Sequence, residues 1–311
     1  MEWTRESRVH DMEGVLHVDL AQQHRAIPNG VEIGIKLFQA NDEFRLFSGQ
    51  TAEVPPPPGS ADPPTTVPYT SYKLTIVEAS LKVAFMKLNP SVLLAHNRSF
   101  KIAPAVYPYW KSVVKTFGIP KGSHSITIED PFHGNKPVSV VAGLVLASAH
   151  SGNMLKSPLN FQHFFLNFLE LTCDGVSMPS SAFQPQYTYN NSHTDPSKCY
   201  NNGYVTEYKR LFGDNYPQKD GNFIHLGTKN IIYLFYVVYR HFISDDFPGG
   251  YALYRFDLRP SADKHLFCPP EKAYSRISGR FAVELDEPVV MVLYAQFPAE
   301  FKIDETRLVV V

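Results

Sequence analysis

Apolar positions along this chain come in short runs, cut at fairly even intervals by Gly, Pro, Asn and Asp, and helical periodicity over three turns is hard to find. That pattern reads as mostly β. It predicts strands over Val31 to Phe38, Phe44 to Phe47, Tyr72 to Leu88, Val113 to Ile119, Ser123 to Ile128, Val138 to Ala149 and Phe161 to Thr172. Further strands are predicted over Ile231 to Phe242, Tyr251 to Leu258, Ser275 to Leu285, Val289 to Phe297 and Phe301 to Ile303. "SVVAGLVLASA" and "EPVVMVLYAQF" carry apolar side chains on both parities, as a strand covered on both faces does. "GRFAVELDE" instead sets Phe281, Val283 and Leu285 against Arg280, Ala282 and Glu284, so one of its faces is largely wet.

The stretch "NFQHFFLNFLELTCDGVSMP", Asn160 to Pro179, is the most aromatic, with His163 among four phenylalanines. Both parities are largely apolar, which makes it a doubly covered strand with His163 as a packed side chain hydrogen-bonded through one ring nitrogen. Asp174-Gly175 supplies a turn able to take positive φ, so the strand ends there and the chain reverses.

Two stretches interrupt the strands. "TAEVPPPPGSADPPTTVP" holds seven of the 25 prolines and reads as a loop or spacer, because proline removes ladder donors and favours extended polyproline geometry. Residues 185–222 have the Asn, Asp, Pro and Gly content of a long surface excursion, within which "YVTEYKRLF" could form a short helix. Many strands, wide loops and little helix predict an all-β sandwich or jelly roll.

At 311 residues, 44% of them hydrophobic, the chain has enough apolar surface for a sizeable core. Its formal net charge of −1 offers no field to hold a phosphate backbone, so no specific nucleic-acid partner is expected. Cys173, Cys199 and Cys268 lie far apart without a C-x-x-C, which fits inert thiols better than a zinc module or a disulfide framework. The charged N-terminus has no signal-peptide core, and the most apolar run, Ile231 to Tyr239, is too short to span a bilayer. No secretion and no membrane span are expected.

Phosphate-cradling loops and nucleophile elbows are missing from the sequence. One constellation points elsewhere: His193-Thr194-Asp195 gives an H-x-D, His265 a distal histidine, and Arg276-Ile277-Ser278 a clamp for a carboxylate. Together they would describe an Fe(II)/2-oxoglutarate oxygenase on a single jelly roll. Against it, His17-Val18-Asp19 is a second H-x-D, and His193 sits among Asn190, Asn191 and Pro196, in a loop rather than on a rigid strand. A third possibility, a lectin-like interaction module, would use the Tyr-rich stretch from Tyr187 to Tyr208 as an exposed groove, with Tyr187 and Tyr189 in contact with the ligand. The leading reading assigns no catalytic, cofactor-binding or metal-binding residues and no cofactor.

"GVLHVDLAQQHRAIPNGVEIGIKL", "ASLKVAFMKLNPSVLLAHN", "SPLNFQHFFLNFLELTCDGVSMPSSAFQPQY", "YVTEYKRLFG" and "DDFPGGYALYRFDLRP" occur in that order along the chain. In this series the sequence resembles the double jelly-roll, hexon-like major capsid proteins of Maverick/Polinton transposable elements and adintoviruses. "YSRISGRFAVEL" resembles, more loosely, the capsid proteins of large DNA viruses. The resemblance implies a non-catalytic structural protein, a homotrimer of pseudo-hexagonal outline that tiles a capsid lattice with itself and other capsid proteins. It would reside in a virion, or inside the cell in cytoplasm or nucleus if borne by a host genome. Relative to that family, residues 1–88 would be the remnant of a first jelly roll with "ASLKVAFMKL" as its closing strand. Residues 89–110 would be a connection and 111–311 a complete second jelly roll, with 51–68 and 226–240 as insertions.

Overall fold

The computed structural model describes residues 9–22, 25–47, 51–54, 65–68, 72–187, 204–212, 249–259 and 269–310. The described residues before Pro90 are mostly irregular. A 3-10 turn occupies Asp19–Gln22, and a one-turn helix α1 occupies Asp42–Arg45, overlapping the strand that the sequence predicts over Phe44 to Phe47. Strands β1 (Thr51–Val54) and β2 (Thr65–Pro68) pair antiparallel and bracket the proline run, so the expected spacer has β-paired ends.

Helix α2 (Pro90–Ile102) fills the predicted connection. Asn89 caps it, its Oδ1 accepting from the Ser91 N–H at 3.1 Å, and Pro90 at the first position costs no intrahelical bond. Strands predicted over Val31 to Phe38 and Tyr72 to Leu88 are not formed. Each has apolar alternation, but neither has a ladder partner among the described residues, and a strand is defined by its neighbour.

From Ala105 onward the chain builds an all-β sandwich, starting within the predicted connection rather than at 111. Its strands are β3 (Ala105–Ile119), β4 (Ser125–Glu129), β5 (Ser139–Leu146), β6 (Leu166–Cys173), β7 (Val176–Phe183), β8 (Leu253–Asp257), β9 (Ser275–Phe281) and β10 (Val289–Ile303). One antiparallel sheet runs β3–β10–β5–β8, and the other runs β4–β9–β6–β7. Successive strands therefore change sheets at most steps, an order compatible with a jelly roll. β10 is the spine: β3 pairs along its whole length, β5 takes Val289 to Gln296 on the other side, and β11 (Val309–Val310) folds back onto Lys302 and Ile303.

The core lies between the sheets. From the first come Val140, Ala142 and Leu144 of β5, Tyr254 and Phe256 of β8, and Met291, Leu293 and Ala295 of β10; from the second come Leu169, Leu171, Phe183, Ile277 and Phe281. β5 is buried at seven successive positions, as its two-parity pattern predicts, and gives way to the one-turn helix α3 (Ala147–His150) before the predicted end at Ala149. Its outer face is covered at Gly143, where an added Cβ would lie 2.6 Å from the Phe161 ring and 2.8 Å from Leu253. β10 alternates buried with half-buried positions, so its outer face is less fully covered than predicted. β9 alternates from Ser275 to Phe281 but ends there, short of the predicted Leu285, and Val283, expected on the buried side, is exposed; Arg276 and Arg280 point outward, Arg276 bonding Glu129 at 2.8 Å and Arg280 lying over the Phe168 ring at 4.3 Å.

The stretch from Asn160 is not one doubly covered strand. Phe164 and Phe165 take positive φ (42° and 52°), a turn that sends Phe161 to the outer face of the first sheet before β6 begins at Leu166. The register against β9 then shifts between Leu166 and Phe168, a bulge that changes the inward parity from Leu166 to Leu169, Leu171 and Cys173. Two parities are apolar because the strand changes parity, not because both faces are covered. The Asp174-Gly175 turn is present as predicted, with φ of 50° and 79° between the paired Cys173 and Val176. Gly175→Val is expected to lower stability by about 1–2 kcal/mol, the cost of a side chain in left-handed backbone, measured as a shift in urea midpoint.

The free edge of β3 is covered by the N-terminal segment. Asp19 accepts from the Ser112 N–H at 2.8 Å, Arg25 donates to the Val106 carbonyl, and the Tyr107 hydroxyl donates to the Ala26 carbonyl at 3.1 Å. Leu20, Ile27 and Val31 pack there against Tyr107, Phe301 and Ile303. Covering an edge this way removes a template for unwanted strand pairing. No helix among the described residues is long and apolar enough to cross a membrane.

Candidate functional site

The densest group of buried polar side chains lies where β7 and β8, edge strands of the two sheets, come together beneath helix α4 (Val205–Phe212). The helix forms where "YVTEYKRLF" predicts it, because Tyr204, Tyr208 and Leu211, at i, i+4 and i+7, make one apolar face that enters the core. Charged side chains then tie it to both sheets. Arg210 donates to Ser181 Oγ of β7 at 3.1 Å and lies over the Phe183 ring at 5.0 Å, while Arg255 of β8 donates to the Leu211 carbonyl at 3.3 Å and to Asp257 at 3.0 Å.

Beneath the helix, His163 stacks on Tyr187 with centroids 4.1 Å apart, and Tyr187 stacks in turn on Tyr204 at 6.1 Å. The Tyr187 and Tyr254 hydroxyls hydrogen-bond at 2.9 Å. His163 Nδ1 accepts from the Phe165 N–H at 2.9 Å, which places the proton of the neutral ring on Nε2 and holds the left-handed turn at Phe164 and Phe165. His163 is thus the packed histidine that its surroundings in the sequence predict.

Burial sets the ionisation of every member. It pushes the His163 pKa down to about 4 and raises both tyrosine hydroxyls far above their ordinary range. Glu207, only 3% exposed, is raised chiefly by burial, against the opposing hydrogen bonds of its own and the Gln184 N–H and the Arg210 charge. Its Oε2 has no hydrogen-bond partner among the described residues. A histidine that stays neutral and tyrosines that stay protonated near pH 7 are poor acids and bases, whereas stacked rings and a hydroxyl pair are good packing. The chemistry available here is that of a structural lock between sheets and helix.

Glu207→Gln keeps the shape of the side chain and removes the charge. Because the folded carboxyl has a raised pKa, its contribution to stability is full below the unfolded value of 4.5 and is lost as pH rises through the folded value. The variant is therefore expected to be more stable than the parent at pH 7 by about 1–2 kcal/mol and equal to it at pH 4, read from urea midpoints at the two pH values.

The other predicted site residues are placed as follows. His193, Asp195 and His265 lie outside the described residues, as do Cys199, Cys268, Tyr189 and the segment 226–240. Arg276, the expected carboxylate clamp, is half exposed on the wet face of the second sheet and ion-paired with Glu129, not turned into the sandwich. Tyr187, Tyr204 and Tyr208 are buried rather than arrayed in an exposed groove, since their rings are needed to fill the space between His163 and β8. Among the described residues, no three His, Cys, Asp or Glu side chains converge as metal ligands. Cys173 is a buried free thiol whose pKa burial pushes up. No protein-family model and no curated protein matches the chain.

Proposed function

We propose that this chain is a non-catalytic structural protein of the capsid type, which assembles with copies of itself as a pseudo-hexagonal trimer through its jelly-roll sandwich. The carrying observation is the strand order β3–β10–β5–β8 opposite β4–β9–β6–β7, found in the part of the chain that holds most of the collinear hexon-like motifs. Eight strands divided in this way are compatible with the two Greek keys of a jelly roll, an architecture that viral capsid domains use. Fold alone does not assign function, so the proposal also draws on the motif series in the sequence.

The buried polar cluster supports the same reading. His163, Tyr187, Tyr254 and Glu207 fasten α4 across two sheet edges, and a shell subunit needs such closed edges so that contacts form only at its intended interfaces. On this reading its partners are further copies of the chain and other capsid proteins, its place is the virion lattice, and it requires no cofactor.

The test is the solution mass of the purified chain over a concentration series, with electron microscopy of the same samples. Trimers or hexagonal sheets are expected. A monodisperse monomer at every concentration, or turnover of a small molecule by the isolated chain, would overturn the proposal.

A further inference from the structure

Most of the large apolar side chains left exposed among the described residues lie in residues 9–102; the sandwich and its C-terminal strand leave out only Val114, Val176, Tyr274, Val283, Leu308 and Val309. The longest such stretch is 72–88, exposed throughout except at half-buried Leu74. Phe85 is 92% exposed, Val77 79%, and Leu81 and Val83 57% each. These four share one parity, and Tyr72, Ile76, Met86 and Leu88 on the other parity are exposed as well. Among the described residues the stretch has the Leu74 N–H on Asp42 at 3.3 Å and an exposed Lys82–Glu13 ion pair at 2.8 Å, and it joins no β ladder there.

We infer that residues 72–88 are an assembly arm that pairs antiparallel, about Ser80, with the same segment of a second copy of the chain. Charge selects this register. With Ser80 opposite its own counterpart, Glu78 of each copy faces Lys82 of the other, giving two opposite-charge cross-strand pairs on one face. On the other face Val77 meets Val83 and Leu81 meets Ala79, which joins the apolar parities of the two copies into one surface. The like-charged pair Lys73 and Lys87 falls at the ends of the ribbon, where screening is greatest.

Charge complementarity favours a second copy as the occupant, since the stretch carries both Glu78 and Lys82 at positions symmetric about Ser80. The pairing is twofold and isologous, so it is separate from the threefold contact of a trimer and would join one assembly to the next.

Sedimentation velocity of the full chain from about 1 to about 100 µM is the first test. A dimer, or a dimer of the larger assembly, is expected to form through the arm. Glu78→Lys sets like charges opposite each other twice and is expected to weaken this association roughly tenfold, whereas Glu78→Lys combined with Lys82→Glu restores it. Both positions are exposed, and the Lys82–Glu13 ion pair that Lys82→Glu removes is a fully solvated one that contributes little to folding. Ser80→Cys is expected to cross-link two copies under mild oxidation, because self-pairing brings that position against itself, and Val83→Cys is not.

Three equal association constants, or cross-linking at Val83→Cys as readily as at Ser80→Cys, would overturn the arm pairing. So would a chain or assembly that never pairs at the highest concentration. Trimers that persist while arm pairing fails would leave the capsid proposal standing. Charge-sensitive dimers without trimers would do the reverse.

Discussion

Phe183→Ala is expected to remove about 3–5 kcal/mol of stability, the largest loss from any single side chain considered. Phe183 is fully buried at the end of β7, where its ring meets Phe256 at 4.8 Å and Tyr254 at 5.8 Å, both edge-to-face, across from the other sheet. Arg210 of α4 lies over the same ring. One side chain therefore joins β7, β8 and the helix, and its deletion opens a cavity at the point where two sheet edges and a helix must stay in register. Against the usual 5–15 kcal/mol of a folded domain, that loss leaves little. Phe183→Leu keeps most of the volume and is expected to cost about 1.5 kcal/mol or less. Urea unfolding followed by intrinsic fluorescence separates the two. A loss near 1 kcal/mol for the alanine variant would mean that the sheets are not joined through this ring.

The sandwich strands were legible where the sequence had only one use for their side chains. "SVVAGLVL" and "VVMVLYAQF" are too apolar and too β-branched to lie anywhere but in a covered sheet, and β5 and β10 are the middle of one. β7 was not among the predicted strands, since "VSMPSSAF" has a proline and three serines and poor β propensity. It forms because the Asp174-Gly175 turn delivers it alongside β6, and as an edge strand it tolerates Pro179 and an irregular register. The signal was present in the turn rather than in the strand.

The N-terminal misreadings share another cause. Alternation at 31–38 and 72–88 records which face a segment would bury, and says nothing about whether a neighbour is there to pair with. Helix α2 carried its own mark, Asn89-Pro90 at its start, which the surrounding strand pattern outweighed. In the polar cluster, His163 was readable from its apolar flanks. Tyr187 and Tyr204 were not, because the Asn- and Pro-rich composition around them predicts exposure, although the spacing of Tyr204, Tyr208 and Leu211 marks a helix face with a core to enter. Nothing in the sequence distinguishes Glu207 from a solvated helix residue; its burial follows from the packing of α4 against β8.

His163 gives the second large effect: acidification from pH 6.5 to pH 4 is expected to cost up to about 3 kcal/mol through this one ring. The unfolded chain binds a proton near the ordinary value of 6.5, whereas the folded chain refuses it until about pH 4, because the ring is 6% exposed, stacked on Tyr187 and met edge-to-face by Phe165. Between those values the unfolded state holds more protons, so stability is full above pH 6.5 and is lost as pH falls through 4. Glu207 pulls the other way, since its raised folded pKa makes stability fall as pH rises above 4.5. The two slopes overlap between pH 4.5 and 6.5, and the parent protein reports only their sum. Two variants separate them. His163→Asn keeps an acceptor for the Phe165 N–H and is expected to leave only the falling Glu207 limb in that window. Glu207→Gln is expected to leave only the rising histidine limb. If both variants kept the pH profile of the parent, the cluster would be open to water and would not be the seal that holds α4 across the two sheets.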